Sequence, residues 1–278
     1  MKTFYEYKIY FKPFNPDLLS GILWALDISG IVEEENFITV YAEKEIKNDL
    51  LDALEDAKKW GTIETYDMKS DEFEDKNWNE EWEKKFDVLE ITENIVVKPT
   101  FRVYHNFQNK TVILIDPKMS FGTGEHETTR LIIKLLEKHI NKGDVILDAG
   151  SGTGILSITA IKLGAKHATA FDVDEWCYVN GKENAELNKV TDKIDFIIGD
   201  ISKVENRNFD LVLANINLHI LLKIAEDLFT KTKESGKIIL SGLLKVDEKK
   251  VVEKYSSLGL KPIEKIYENE WEAIVFEK

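Results

Sequence analysis

The residues with the clearest chemical potential stand in "DAGSGTG" (148–154), three glycines at alternate positions directly after the apolar run "VIL". Gly150, Gly152 and Gly154 allow a sharp turn into a following helix and let backbone approach a ligand closely. A nicotinamide dinucleotide fingerprint would need glycine at position 155, which is Ile155. The next apolar run ends in "FDVD", and Asp172 lies 22 residues after Gly150. A carboxylate there can accept both hydrogens of a ribose diol, whereas Asp174 reads as the cap of the following helix. Two further runs end in "GD" and "ANIN". Asp200 fits either an adenine amino group or local turn bonds, and Asn215 places an amide at a fourth strand end.

These residues need a scaffold that brings strand ends together. Apolar runs at 145–150, 168–174, 193–200, 209–216 and 236–242 alternate with helical stretches near 154–163, 174–189, 218–231 and 245–257. The last two runs, 260–268 and 271–278, are separated by a few residues and so must pair antiparallel. Right-handed crossovers and short connections predict an α/β fold, a doubly wound, mostly parallel, seven-stranded sheet that ends in a hairpin. Ligands of such sheets bind at the carboxyl ends of the strands.

The front of the chain has a different grammar. "KTFYEYKIYF" alternates as a strand, and "PDLLSGILWALDISG" has helical spacing, with Gly30 placed to end it. "IVEEENFITVYAE" reads as two strands around a polar turn, "EIKNDLLDALEDAKKW" as an amphipathic helix and "TIETYDM" as a strand. The order β-α-β-β-α-β is that of a small α+β, ferredoxin-like domain. It carries no histidine, cysteine or glycine-rich turn, which suits recognition better than chemistry. In "DEFEDKNWNEEWEKKF", Trp78, Trp82 and Phe86 recur every four residues and share a helix face, the pattern of a connector. The expected organisation is therefore 1–70 recognition domain, 71–95 linker helix and connector, and 96–278 catalytic domain.

The formal net charge of the 278 residues is −14, unevenly spread. Residues 1–70 hold 14 acidic and 8 basic side chains and residues 71–90 hold 9 and 3, so the first 90 residues carry −12. Such a field repels nucleic acid and attracts a basic partner, and read by itself it is equally the pattern of a solvated, solubilising face. A single cysteine, Cys177, excludes an internal disulfide. No apolar run reaches the roughly 18 residues of a spanning helix, and "MKTFYEYKIYFKPF" lacks a signal peptide's apolar stretch, so a cytoplasmic location is expected. The 5 histidines show no metal-ligand spacing, and no metal is expected.

The pattern D-x-G-x-G-x-G resembles motif I of class I S-adenosylmethionine-dependent methyltransferases, a Rossmann-like superfamily. "DPKMSFGTGEHETTRL" (116–131), then the glycine loop, then "ANIN", in that order, resemble the ribosomal protein L11 methyltransferase family (PrmA). "NWNEEWEKKFDVLEITENIVVKP" is similar to that family's segment between domains, and at position 217 the family commonly has leucine where this chain has Asn217. The resemblance implies S-adenosylmethionine as cofactor, ribosomal protein L11 as partner and methyl transfer to lysine or N-terminal amines. It puts Thr129, Gly150, Asp172 and Asn215 on the cofactor. Gly152 and Asp200 extend that set. Phe121 would be an apolar cover on a loop made mobile by Gly122 and Gly124, while His126 is assigned no chemistry.

Methyl transfer from a sulfonium to an amine is an in-line displacement, so positioning supplies much of the catalysis. The Asn215 amide oxygen and the backbone carbonyls of 215–216 can accept amine hydrogens and aim the lone pair. An adenine N6-methyltransferase would carry N/D-P-P-Y/F where "NINL" stands. Another amine substrate, or a non-catalytic cofactor-binding scaffold, are the alternative readings.

Overall fold

A computed structural model describes residues 3–24, 26–74, 86–116, 118, 120–205 and 208–278. The chain divides into two compact units, Met1–Lys85 and Phe86–Lys278. The expected connector stripe of Trp78 and Trp82 lies outside the described residues.

The first unit runs β1 (Thr3–Lys12), α1 (Pro16–Leu23), β2 (Gly30–Glu33), β3 (Ile38–Ala42), α2 (Lys47–Lys59) and β4 (Thr65–Glu74). The sheet order β2-β3-β1-β4 is antiparallel throughout, the ferredoxin-like arrangement. Alternation puts Tyr7, Ile9 and Phe11 of β1 on the face that packs with Leu19, Leu23, Leu50 and Leu54 of the helices. The buried Tyr7 hydroxyl is satisfied by the Ile46 N–H at 3.0 Å. Gly30 does not end α1. The Ser29 N–H already bonds the Tyr41 carbonyl at 2.7 Å, so pairing with β3 captures the chain before Gly30, which opens β2.

The second unit opens with a small sheet that the sequence pattern did not reveal: β5 (Leu89–Glu90), β6 (Ile95–Lys98) and β7 (Thr111–Leu114). Asn184 of a later helix and Asn188 at its C-cap hold the end of β7 and the residues after it: the Asn188 and Asn184 side chains accept from the Leu114 and Asp116 N–H groups, both at 3.0 Å. Then come α3 (Glu127–His139), β8 (Val145–Ala149), α4 (Ile155–Lys162), β9 (His167–Asp172), α5 (Glu175–Leu187), β10 (Ile194–Ile198) and β11 (Phe209–Asn215). The chain finishes with α6 (Leu218–Lys223), α7 (Ala225–Lys231), β12 (Thr232–Leu244), α8 (Glu248–Ser257), β13 (Lys261–Glu268) and β14 (Trp271–Glu277). The helix expected over 218–231 is thus two helices broken at Ile224.

The seven-stranded order is β10-β9-β8-β11-β12-β14-β13. Neighbours are parallel except around β14, which lies antiparallel between β12 and β13. Helices cover both faces, giving two cores. Ile146, Leu211, Leu213 and Ile239 pack under α3 and α4, and Leu147, Val212, Ala214 and Ile238 face α6, α7 and α8. No helix among the described residues is long and apolar enough to cross a membrane.

Candidate active site

The parity of β11 decides where its last side chain goes. Leu211 and Leu213 face α3, so Asn215, two residues on, is directed to the same side. Its Nδ2 donates to Thr129 Oγ1 at 3.2 Å. Thr129 sits in the first turn of α3 and is 1% exposed.

The glycine loop draws two other segments close. A Cβ on Gly150 would stand 2.3 Å from Ile216 Cγ2, and one on Gly152 would stand 2.2 Å from the Phe121 carbonyl oxygen. Both glycines have positive φ, +72° and +52°, which β-carbon-bearing residues rarely adopt. The Thr153 N–H donates to the Phe121 carbonyl at 2.9 Å and its hydroxyl to the Gly122 carbonyl at 2.5 Å. The 120–124 segment is therefore docked on the glycine loop. Gly122 and Gly124 provide left-handed turns for that docking.

Between these loops lies an open cleft of about 680 Å³. Phe121, Gly150, Gly152, Asp172, Asp200 and Asn215 line it, and so do His126, Asn217 and Trp271. Thr129 is not among the lining residues. Its hydroxyl oxygen accepts from Asn215 Nδ2, and its neighbour Thr128 lines the cleft.

Asp172 accepts from the Gly152 N–H at 2.9 Å and the Asp174 N–H at 3.1 Å, one on each oxygen. Each oxygen keeps a second lone pair, the pattern a diol needs. Asp174 caps α5 by accepting from the Trp176 N–H at 2.8 Å. Asp200 accepts from the Ser202 N–H at 2.9 Å through Oδ1, and the Ser202 bonds hold its carboxyl below the usual range. Its local turn bonds leave Oδ2 for the cleft. Burial pushes the Cys177 thiol up to about 11, so it stays protonated at neutral pH.

Three rings meet at the cleft: Phe121 and His126 have centroids 5.5 Å apart, and His126 and Trp271 lie edge to face at 4.8 Å. His126 Nδ1 caps α3, lying 3.3 Å from the Thr128 N–H and 2.8 Å from its hydroxyl. His126 thus holds the start of α3 through Nδ1 while its ring lines the cleft. Trp271 has no local signal in the sequence, since it arrives through the insertion of β14 beside β12.

Residues 23–278 match the sequence family described as ribosomal protein L11 methyltransferase (PrmA). The chain belongs to this family of S-adenosylmethionine-dependent methyltransferases. A Campylobacter lari ribosomal protein L11 methyltransferase is 36% identical over the whole of this chain and 99% of its own length. The Acetivibrio thermocellus relative is 38% identical over 73% of this chain, and the chain spans 65% of that relative's length, just under two thirds. The solved ribosomal protein L11 methylase from Lactobacillus delbrueckii subsp. bulgaricus superposes with a TM-score of 0.64 at 28% identity, covering 68% of this chain and 97% of its own.

The cleft fits the family's cofactor. Asp172 offers free lone pairs to a ribose diol, the glycine loop presents close backbone, and Phe171, Ile201, Ile220 and Ile224 give an apolar wall.

Proposed function

We propose that this protein transfers methyl groups from S-adenosylmethionine to amino groups of ribosomal protein L11, lysine side chains above all. The observation that carries this reading is the meeting of the Asn215 amide with the Phe121–His126–Trp271 rings in one cleft. Gly150, Gly152, Asp172 and Asp200 would hold the cofactor, which supplies an electrophilic methyl on a sulfonium.

The work of this chain's residues is to receive an amine in its neutral form and aim its lone pair. A lysine at the reference pKa of about 10.4 needs roughly 4–5 kcal/mol to deprotonate at pH 7, an α-amine only about 1. Desolvation of the bound amine beside a cationic sulfonium disfavours the ammonium form. The Phe121, His126 and Trp271 rings offer an apolar surface to a lysine's methylene stem. The Asn215 oxygen accepts an amine hydrogen and orients the nucleophile; an amide is too weak a base to remove the proton, which leaves to solvent.

Residues 1–70 present the substrate in this reading, 71–95 connect, and 96–278 carry the chemistry. The supporting observation is charge: a −12 front suits a basic protein and opposes nucleic acid. A cytoplasmic site of action follows from a ribosomal protein substrate. Trp271→Ala tests the lysine channel. Peptide mapping of L11 should show lysine methylation reduced about 10-fold or more, with α-amine methylation less affected. Equal loss at both kinds of amine would contradict lysine selectivity by the rings.

A further inference from the structure

The cleft has two halves. Gly150, Asp172 and Asp200, which fit the cofactor, stand at the ends of β8, β9 and β10, whereas Asn217, Gly242 and Trp271 line it from the ends of β11, β12 and β14. On this second side β12 carries a bulge. Leu240 pairs with Ile274 but Leu243 with Glu272, so β12 holds one residue more than β14 over this stretch. Gly242 takes part in the bulge at φ +81°, where a Cβ would stand 2.4 Å from the Ile216 carbonyl oxygen. The extra residue turns Leu243 into the core, fully buried, and brings Leu244 opposite Trp271. Directly paired residues of an antiparallel ladder share a face. Leu244 therefore continues the Trp271 wall outward from the cleft.

The turn beyond Leu244 is pinned. The Lys245 N–H donates to the Glu270 carbonyl at 3.0 Å, and the Leu244 N–H to Asp247 Oδ2 at 3.3 Å. Behind the turn, Glu248 accepts from Lys265 at 2.5 Å and from the Tyr267 hydroxyl at 3.0 Å. This fixed turn leaves Leu244 37% and Val246 85% exposed. Aliphatic side chains on an ordered turn lose little further freedom when a partner covers them.

We propose that Leu244 and Val246 form a specificity ledge that takes an apolar side chain of the protein substrate, one or two residues from the target lysine. The proposal rests on the reading of the Asn215 cleft as a site of lysine methylation. A lysine that reaches Asn215 draws its own backbone across the rim, and the ledge is the apolar part of that rim beside Trp271. An extended chain advances about 3.3 Å per residue, so the lysine's near neighbours fall there.

The test uses the full chain, purified ribosomal protein L11 and the double variant Leu244→Ala, Val246→Thr. Its KM for L11 should rise about 10-fold, with kcat and the calorimetric Kd for S-adenosylmethionine within about twofold of wild type. Ile263→Thr, a change at a 44% exposed residue near the opposite end of β13, should leave all three constants unchanged. Peptide mapping should find an apolar residue within two positions of the main methylated lysine. Replacing that residue by serine in L11 should lower kcat/KM about as much for the wild type, and little further for the double variant.

An L11 that is methylated with unchanged KM by the double variant overturns the ledge alone, as do methylated lysines with only polar neighbours. A cofactor Kd that weakens together with KM also overturns it, because the two residues would then shape the cofactor site. A dimer seen by sedimentation and abolished by the double variant, with KM unchanged, assigns the face to a second copy instead. L11 left unmodified by the wild type refutes the substrate reading, and the ledge with it.

Discussion

Gly152 and Phe121 are in direct backbone contact: a Cβ on the glycine would overlap the Phe121 carbonyl oxygen at 2.2 Å. The two loops that flank the cleft are therefore one packed unit, tied by both bonds from Thr153. Gly152→Ala adds a methyl at φ +52° against backbone that cannot rotate away. The expected result is a loss of about 2–4 kcal/mol in unfolding free energy and weakened cofactor binding, read by denaturant melts and calorimetry. Wild-type values in both would mean the loops separate readily.

Asp172 has two tasks, which its variants should separate. Asp172→Ala removes the acceptor for the Gly152 N–H as well as the diol contact, and should weaken S-adenosylmethionine binding by about 2–4 kcal/mol. Asp172→Asn keeps one acceptor oxygen and should lie between. An unchanged Kd in either variant would remove Asp172 from the cofactor site.

The pH dependence of stability has an identifiable contributor. Glu272 is fully buried on β14, and burial, then the Glu248 carboxylate, push its pKa from 4.5 up to about 7. Lys265 opposes the shift and Asp247 adds to it. A raised folded-state pKa means the protonated form favours folding. The contribution is complete below the ordinary carboxyl range and is lost as pH rises through about 7. Wild-type melting temperature should fall from pH 6 to pH 8, and Glu272→Gln should flatten that slope. Parallel slopes would show that Glu272 does not titrate there.

Removing the acidic front tests recruitment. A chain starting at Phe86 keeps every residue that lines the cleft and should bind S-adenosylmethionine within about threefold of the full chain. Its rate on ribosomal protein L11 should fall by about 100-fold or more, because a tethered domain no longer raises the local substrate concentration. Equal rates would reduce residues 1–70 to a solvated surface.

Much of this organisation is legible in the sequence, for physical reasons that differ by residue. Gly150, Asp172 and Asn215 end long apolar runs, so strand periodicity alone places them at one sheet edge. The split β-α-β-β-α-β order is visible because Tyr7, Ile9 and Phe11 alternate cleanly. Trp271 is invisible, since its place depends on β14 pairing with β12 across the intervening α8 and β13. Strands β5, β6 and β7 are too short, at 2 to 4 residues, to show a period. Thr129 is found by motif, and its contact with Asn215 Nδ2 at 3.2 Å is added by the structure. Helical phase turns it toward Asn215, and only the packing of α3 against the sheet reveals that.

The central claim is that the Asn215 cleft methylates amines of ribosomal protein L11. Intact-mass analysis of purified L11 after incubation with the full chain and S-adenosylmethionine tests it most directly. The account predicts a ladder of whole-methyl mass increments, absent without cofactor and strongly suppressed by Asn215→Ala even at saturating cofactor. L11 of unchanged mass, from enzyme shown by calorimetry to bind S-adenosylmethionine, would contradict it.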